Sequence, residues 1–288
     1  MAVVAFGSVR SCGVTTLAVA LAATWPSGSD PDGRRVLLVE ADPAGGTLAA
    51  SSGWPPEPSL VSLAAAARRG GDPALVWEHC QQLPGGAEVL AAPAPGEQAR
   101  GALGMLAPLL VRLGELESDV LVDCGRLDPG SPALSLWEAA DTAVLVARPR
   151  LSDLQALASW LEGRPGARAV GVVTVGDGPY PDGEIAEALG REVLGRIPWD
   201  PDAAEALTTV AASARQLRMA PLVRSVRTLA DRLVDRVGRV PVAGGDPGAE
   251  PGPGGRSVTV RSRVLRAWRT ADSQVPSSNG SVVEEAGR

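Results

Sequence analysis

Residues 2–24 read AVVAFGSVRSCGVTTLAVALAAT: a β-branched run, a Gly/Ser turn, then an apolar helical run opening at Gly13-Val14-Thr15-Thr16. A strand that turns through glycine and serine straight into a helix presents unpaired N–H groups at the helix start, a cradle for phosphate. In a Walker A loop the residue between that glycine and threonine is lysine, which reaches the β- and γ-phosphates. Here it is Val14, and all 27 basic residues of the chain are arginine. The cradle is predicted; its strongest phosphate-binding side chain is missing.

The 288 residues suffice for one large domain or two small ones, and 45% apolar with 21% charged residues is ordinary for a chain with a real core. Three cysteines (Cys12, Cys80, Cys124) and one histidine (His79) show no CxxC or HxxxH spacing, which argues for a reducing compartment and against structural zinc or disulfides. The neighbours His79 and Cys80 point apart on any regular element, so they read as a half-buried pair and not as a nucleophilic dyad. Residues 1–6 are too short for the apolar core of a signal peptide and Arg10 interrupts the next stretch, so a cytoplasmic protein is expected. Net charge is −6, divided as +3 over residues 256–288 and −9 over residues 1–255. An acidic body is a poor ligand for a phosphate backbone, so direct DNA binding is not expected.

Apolar runs alternate with helical patterns as far as residue 240. The predicted strands are 3–6, 35–40, 88–91, 120–123, 142–147, 169–173 and 192–194. VLLVE, DVLVD, TAVLVA and AVGVVTV are near-continuous apolar runs, as in strands covered on both faces of a parallel sheet. The predicted helices are 15–24, 60–69, 74–82, 102–116, 131–139, 152–161, 183–189, 202–218 and 221–237. The pattern predicts an α/β fold: a doubly wound, mainly parallel sheet of about seven strands with helices on both faces. In the last helix Leu222, Val223, Val226, Leu229, Leu233 and Val237 form a stripe that reads as core packing. The domain is expected over 1–241, a Gly/Pro linker over 242–255 (VAGGDPGAEPGPGG), and a basic, partly helical tail over 256–288.

Four segments in order carry a resemblance. They are the loop at 7–16, the second-strand run Val36-Leu37-Leu38-Val39-Glu40-Ala41-Asp42-Pro43, the strand Asp119-Val120-Leu121-Val122-Asp123-Cys124-Gly125, and Leu194-Gly195-Arg196-Ile197-Pro198-Trp199-Asp200-Pro201. Together, over about residues 1–238, they resemble the MinD/ParA-type P-loop ATPases, in whose pattern the second segment is commonly VLLIDxDPQG and the fourth LGxIPxDP. A dinucleotide-binding Rossmann domain is disfavoured, because no GxGxxG occurs at residues 7–13.

The resemblance implies ATP or ADP with Mg²⁺ as cofactor. It places Ser8, Val9, Arg10, Ser11, Cys12, Gly13, Val14, Thr15 and Thr16 around the phosphates, and Pro198 and Trp199 near the nucleobase. The Trp199 ring either stacks a base or packs between helix and sheet. Thr15, Asp42 and Asp123 would hold Mg²⁺, and Glu40 and Asp42 would attend the attacking water. Val9 stands where the family has a second lysine, and Arg10 and Ser11 replace two glycines. Loss of one charged hydrogen bond weakens triphosphate binding by roughly ten- to a hundredfold, and loss of charge stabilisation costs more in phosphoryl transfer. Little or no hydrolysis is therefore expected.

In the tail, Val260, Val264, Leu265 and Trp268 fall on one side of a helix with four arginines around them, so residues 256–271 could dock an anionic membrane or a protein partner. Family likeness implies a homodimer. It suggests a degenerate, TadZ-like positioning or scaffolding factor for a pilus or secretion apparatus; the alternative is an active partitioning or division-site ATPase.

Overall fold

The computed structural model describes residues 1–26, 35–68, 71–84, 86–164, 170–208 and 219–238. The strands are β1 (Val3–Ser8), β2 (Arg35–Glu40), β3 (Gln81–Gln82), β4 (Glu88–Leu90), β5 (Ser118–Arg126), β6 (Thr142–Ala147), β7 (Val170–Val175) and β8 (Val193–Ile197). The helices are α1 (Val14–Thr24), α2 (Leu48–Ser51), α3 (Leu60–Ala67), α4 (Gly96–Leu110), α5 (Ala133–Ala139), α6 (Leu151–Glu162), α7 (Asp182–Leu189), α8 (Pro201–Thr208) and α9 (Pro221–Gly238).

Among the described residues the strands form one sheet in the order β3-β4-β2-β5-β1-β6-β7-β8, parallel except for β3 against β4. From β1 the chain crosses to one side to build β2, and from β5 it crosses back over β1 to build β6. The crevice at the carboxyl ends of β1 and β5 is thus a switch point, where open α/β sheets take ligands. Register brings the site residues to one level: Phe6 pairs with Asp123, and Asp123 with Glu40.

Burial on both faces explains the apolar strands. Val4, Phe6 and Leu38 join Leu17, Leu21, Val226, Leu229 and Leu233 in a layer under α1 and α9. Ala5, Leu37 and Val39 join Leu60, Leu103, Leu106, Trp137 and Trp160 in the opposite layer. The expected stripe of α9 is buried there at Leu222, Val223, Val226, Leu229 and Leu233, with Val237 at the margin.

Two predicted helices need correction. The helix predicted over 74–82 is a 3-10 segment, Pro73–His79, after which Cys80 turns extended (φ −91°, ψ 154°) into β3. β3 pairs antiparallel with β4 through a short hairpin and joins the seven predicted strands as an eighth, in keeping with a sheet of about seven. The helix predicted from 102 begins at Gly96, immediately after Pro95, whose fixed φ suits a helix start. It ends at Leu110, two residues past Pro108, which cannot donate its helical hydrogen bond. The second half of the helix predicted over 202–218, the linker 242–255 and the tail lie outside the described residues.

His79 and Cys80 are separately engaged: His79 Nδ1 lies 2.8 Å from Ser62 Oγ, and the Cys80 thiol donates to the Val76 carbonyl.

Candidate functional site

β1 ends at buried Ser8, the chain bends through Val9–Ser11, and α1 starts at Val14. Gly13 caps the helix at φ 93° and ψ 34°, a left-handed conformation that glycine adopts without strain. No side chain caps the first turn, so its leading N–H groups are left for another acceptor. The Val14 side chain is 5% exposed and belongs to the apolar layer of Phe6 and Leu17. Cys12 is buried, its thiol donating to the Val146 carbonyl at 3.1 Å, and burial pushes that thiol up to about 11.

A cavity of about 270 Å³ opens over this loop. Ser8, Ser11, Cys12, Gly13, Val14 and Thr15 line one side; Asp42, Pro43 and Ala44 line another; Arg100, Gly125, Arg126 and Asp128 complete it. Asp42 Oδ1 accepts from the Ala44 N–H at 2.8 Å, a turn that holds its carboxylate at the rim. Burial raises the Asp42 pKa, while Arg126 and Arg100 oppose that rise.

Asp123 lies beneath, fully buried at the end of β5. Its Oδ1 accepts from the Gly125 N–H at 2.9 Å, and its Oδ2 has no hydrogen-bond partner among the described residues. Burial lifts this carboxyl to about 7; the Thr15 hydroxyl and the Gly125 N–H pull it down, and Glu40 and Asp42 push it further up.

Glu40 does not match the place drawn for it beside the attacking water. It is 1% exposed and does not line the cavity. Its Oε1 accepts from the N–H groups of Thr47 (2.7 Å) and Leu48 (3.1 Å), and its Oε2 from Ala92 (2.9 Å). Those bonds tie the loop after β2 to the end of β4 and leave the carboxylate little capacity for a metal or a water. Burial raises its pKa against those three donors.

A second cavity, about 260 Å³ and mostly apolar, adjoins the first, with Gly13 bordering both. Thr16, Leu17, Val175, Ile197, Pro198 and Trp199 line it, with Leu222 and Val226 from α9. The Trp199 ring is not packed between helix and sheet: it is 62% exposed, with the Arg148 guanidinium 5.4 Å from its centroid.

Of the residues expected at the phosphates, Val9 is half buried against the core and Arg10 is exposed and lines neither cavity. No motif in the sequence singles out Arg100 or Arg126. Arg100 lies ahead of the helix predicted from 102, in the turns the structure adds to α4, and Arg126 lies just beyond the recognised end of the β5 run.

No family model matches the chain, and no curated protein matches it either. Solved structures do. A ParA family ATPase from Chlorobium tepidum TLS is similar over 81% of this chain and 98% of its own, with 19% identity and a TM-score of 0.66. The septum site-determining protein MinD from Pyrococcus horikoshii OT3, complexed with Mg-ADP, is similar over 83% and 99%, with 19% identity and a TM-score of 0.65. The MinC:MinD cell division complex from Aquifex aeolicus supplies a third likeness: 82% and 96% coverage, 16% identity, TM-score 0.58. The chain has the ParA/MinD fold.

Among the described residues no group of three or more His, Cys, Asp or Glu side chains could hold a metal alone. Two carboxylates, one with an unpartnered buried oxygen, and a threonine hydroxyl suit an ion that keeps several waters and draws other ligands from phosphate, as Mg²⁺ does. The residues present therefore fit Mg²⁺ with a nucleotide. Among the described residues no helix is long and apolar enough to cross a membrane.

Proposed function

We propose that this chain is a degenerate ParA/MinD-type protein that binds adenine nucleotide with Mg²⁺ and acts as a positioning or scaffolding factor, with weak or absent hydrolysis. The observation that carries this is Val14: beside an open phosphate cradle, the position of the Walker lysine is filled by a side chain buried in the apolar layer.

The first-turn N–H groups of α1 and the Ser11 hydroxyl line the cavity an incoming polyphosphate would enter, and Thr15, Asp42 and Asp123 would hold Mg²⁺. The ion would supply charge neutralisation at the phosphates. Trp199 and Pro198 take the base against Val226 and Leu222. Glu40 keeps the Asp42 loop in shape without touching the ligand. With neither loop lysine present, no cationic side chain of the loop lines the cavity to stabilise charge developing during transfer, so bound nucleotide acts as a structural ligand.

In this reading nucleotide holds a homodimer together, and the tail at 256–271 brings it to a protein partner or an anionic membrane at the inner face. That one similar structure is a MinC:MinD complex supports a protein partner. A pilus or secretion assembly is the proposed setting. Partitioning by an active ATPase is the alternative.

Purified protein tests this directly. Mg·ATPγS is expected to bind, with ATP turnover no higher than a no-enzyme blank, and Val14→Lys is expected to tighten binding. Turnover clearly above the blank in the native chain would replace the scaffold with the active ATPase.

A further inference from the structure

The loop has lost its lysines, yet its cavity is not bare of cations. Arg100 reaches it from the first part of α4 and Arg126 from the end of β5. We propose that these two arginines, supplied by elements outside the phosphate loop, are the cationic contacts to the polyphosphate in this protein. The inference rests on the nucleotide reading above and adds the residues that make it electrostatically workable.

Three observations carry it. Arg100 makes no hydrogen bond or ion pair with any described residue, although it lines a cavity and is felt electrostatically by Asp42. Among the described residues the one ion pair of Arg126, Nε to Asp128 Oδ2 at 3.0 Å, joins two half-exposed groups and is therefore weak. The start of α4 is also held against the loop that carries Asp42. A Cβ on Gly45 would overlap the Ala94 carbonyl, and a Cβ on Gly96 would lie 2.6 Å from the Ala44 carbonyl. That backbone contact needs glycine on both sides, and it places Arg100, one turn into α4, at the cavity wall.

The charges also balance. Asp42 and Asp128 at the cavity rim are matched by Arg100 and Arg126, so a polyphosphate does not meet an uncompensated acidic wall. Below the rim, the unpartnered Asp123 oxygen marks the place for the accompanying cation. Arginine suits this role because its planar fork engages two phosphate oxygens at once and keeps its charge at any working pH.

The test is calorimetric titration of the full chain with Mg·ATPγS and, separately, with adenosine, which lacks phosphates. Arg100→Ala and Arg126→Ala are each expected to weaken ATPγS binding by about ten- to a hundredfold while leaving adenosine binding unchanged. Arg100→Lys should recover part of the loss. Arg227→Ala, on the exposed face of α9, removes the same charge from a side chain that lines neither cavity and should change neither titration. Because Arg100 and Arg126 are exposed, the melting temperature without ligand should hold in both variants and exclude misfolding. Native-like ATPγS affinity in both variants would overturn the arginine assignment and leave the nucleotide reading standing. An equal loss in Arg227→Ala would overturn it too, in favour of net charge alone. If the native chain binds adenosine but not ATPγS, the assignment fails; if it binds neither, the nucleotide reading fails with it.

Discussion

Gly125 leaves no room for anything but hydrogen between itself and Asp42: a Cβ there would overlap the Asp42 carboxyl carbon. The backbone at Gly125 is also left-handed, with φ 56°, and its N–H bonds the Asp123 carboxylate. One glycine thus sets the spacing between the two carboxylates assigned to Mg²⁺. Gly125→Ala should displace Asp42, destabilise the fold by about 1–3 kcal/mol, and abolish the Mg²⁺ dependence of ATPγS binding. Urea denaturation and titration with and without Mg²⁺ measure both; an intact Mg²⁺ dependence would refute the assignment of Asp42.

Glu40→Gln separates a structural from a catalytic carboxylate. Glutamine keeps one acceptor oxygen and turns an N–H group toward a backbone donor. The expected result is a loss of about 1–3 kcal/mol in unfolding free energy, with nucleotide affinity of the folded fraction unchanged. A variant as stable as the native chain would overturn the account of Glu40 as a tie between loop and strand.

Asp123 gives the stability a pH dependence whose sign can be worked out. Its folded value, about 7, lies above the ordinary aspartate value of 3.8, so the folded state keeps the proton to higher pH. The corresponding stability is fully present below the lower value and is lost as pH rises to the higher one. Its slope there is up to ~1.4 kcal/mol per pH unit. Asp123→Asn should remove this component and exceed the native chain in stability at about pH 8 without Mg²⁺. A difference between native and variant that stays flat across the window would contradict it.

Cys12 and Cys80 should be slow nucleophiles despite their positions. Burial raises the two thiols to about 11 and about 12, so almost no thiolate exists near neutrality. Alkylation by iodoacetamide should proceed far more slowly at neutral pH than for an unfolded control. Raised thiol values also mean that the contribution of these two groups to stability is constant below pH 9 and is lost above it, through about 11 and 12. Alkylation at the rate of the unfolded control would show that burial does not govern these groups.

The central architecture is legible in the sequence because parallel strands buried on both faces leave an apolar signature, as at Val36–Val39 and Thr142–Ala147. β3 is not, since two glutamines on an edge carry no such pattern and pair only through a hairpin. The opening of α4, Gly96-Glu97-Gln98, is polar and carries no apolar stripe, which hides Arg100. Glu40 and Asp42 look equivalent in sequence, and only the loop that curls back onto Glu40 separates them. No pattern in one dimension says which of many arginines meets a cavity. Trp199 depends on a three-dimensional fact as well, the placement of Arg148 over its ring.

Gly13, bordering both cavities, has open space where a side chain would begin. The two compartments can therefore be addressed as separate fragments. A flat aromatic molecule in one and a small anion in the other, each feeble alone, would gain by being tethered across that glycine, because the second contact becomes intramolecular. This opening is the natural place to join them into an inhibitor.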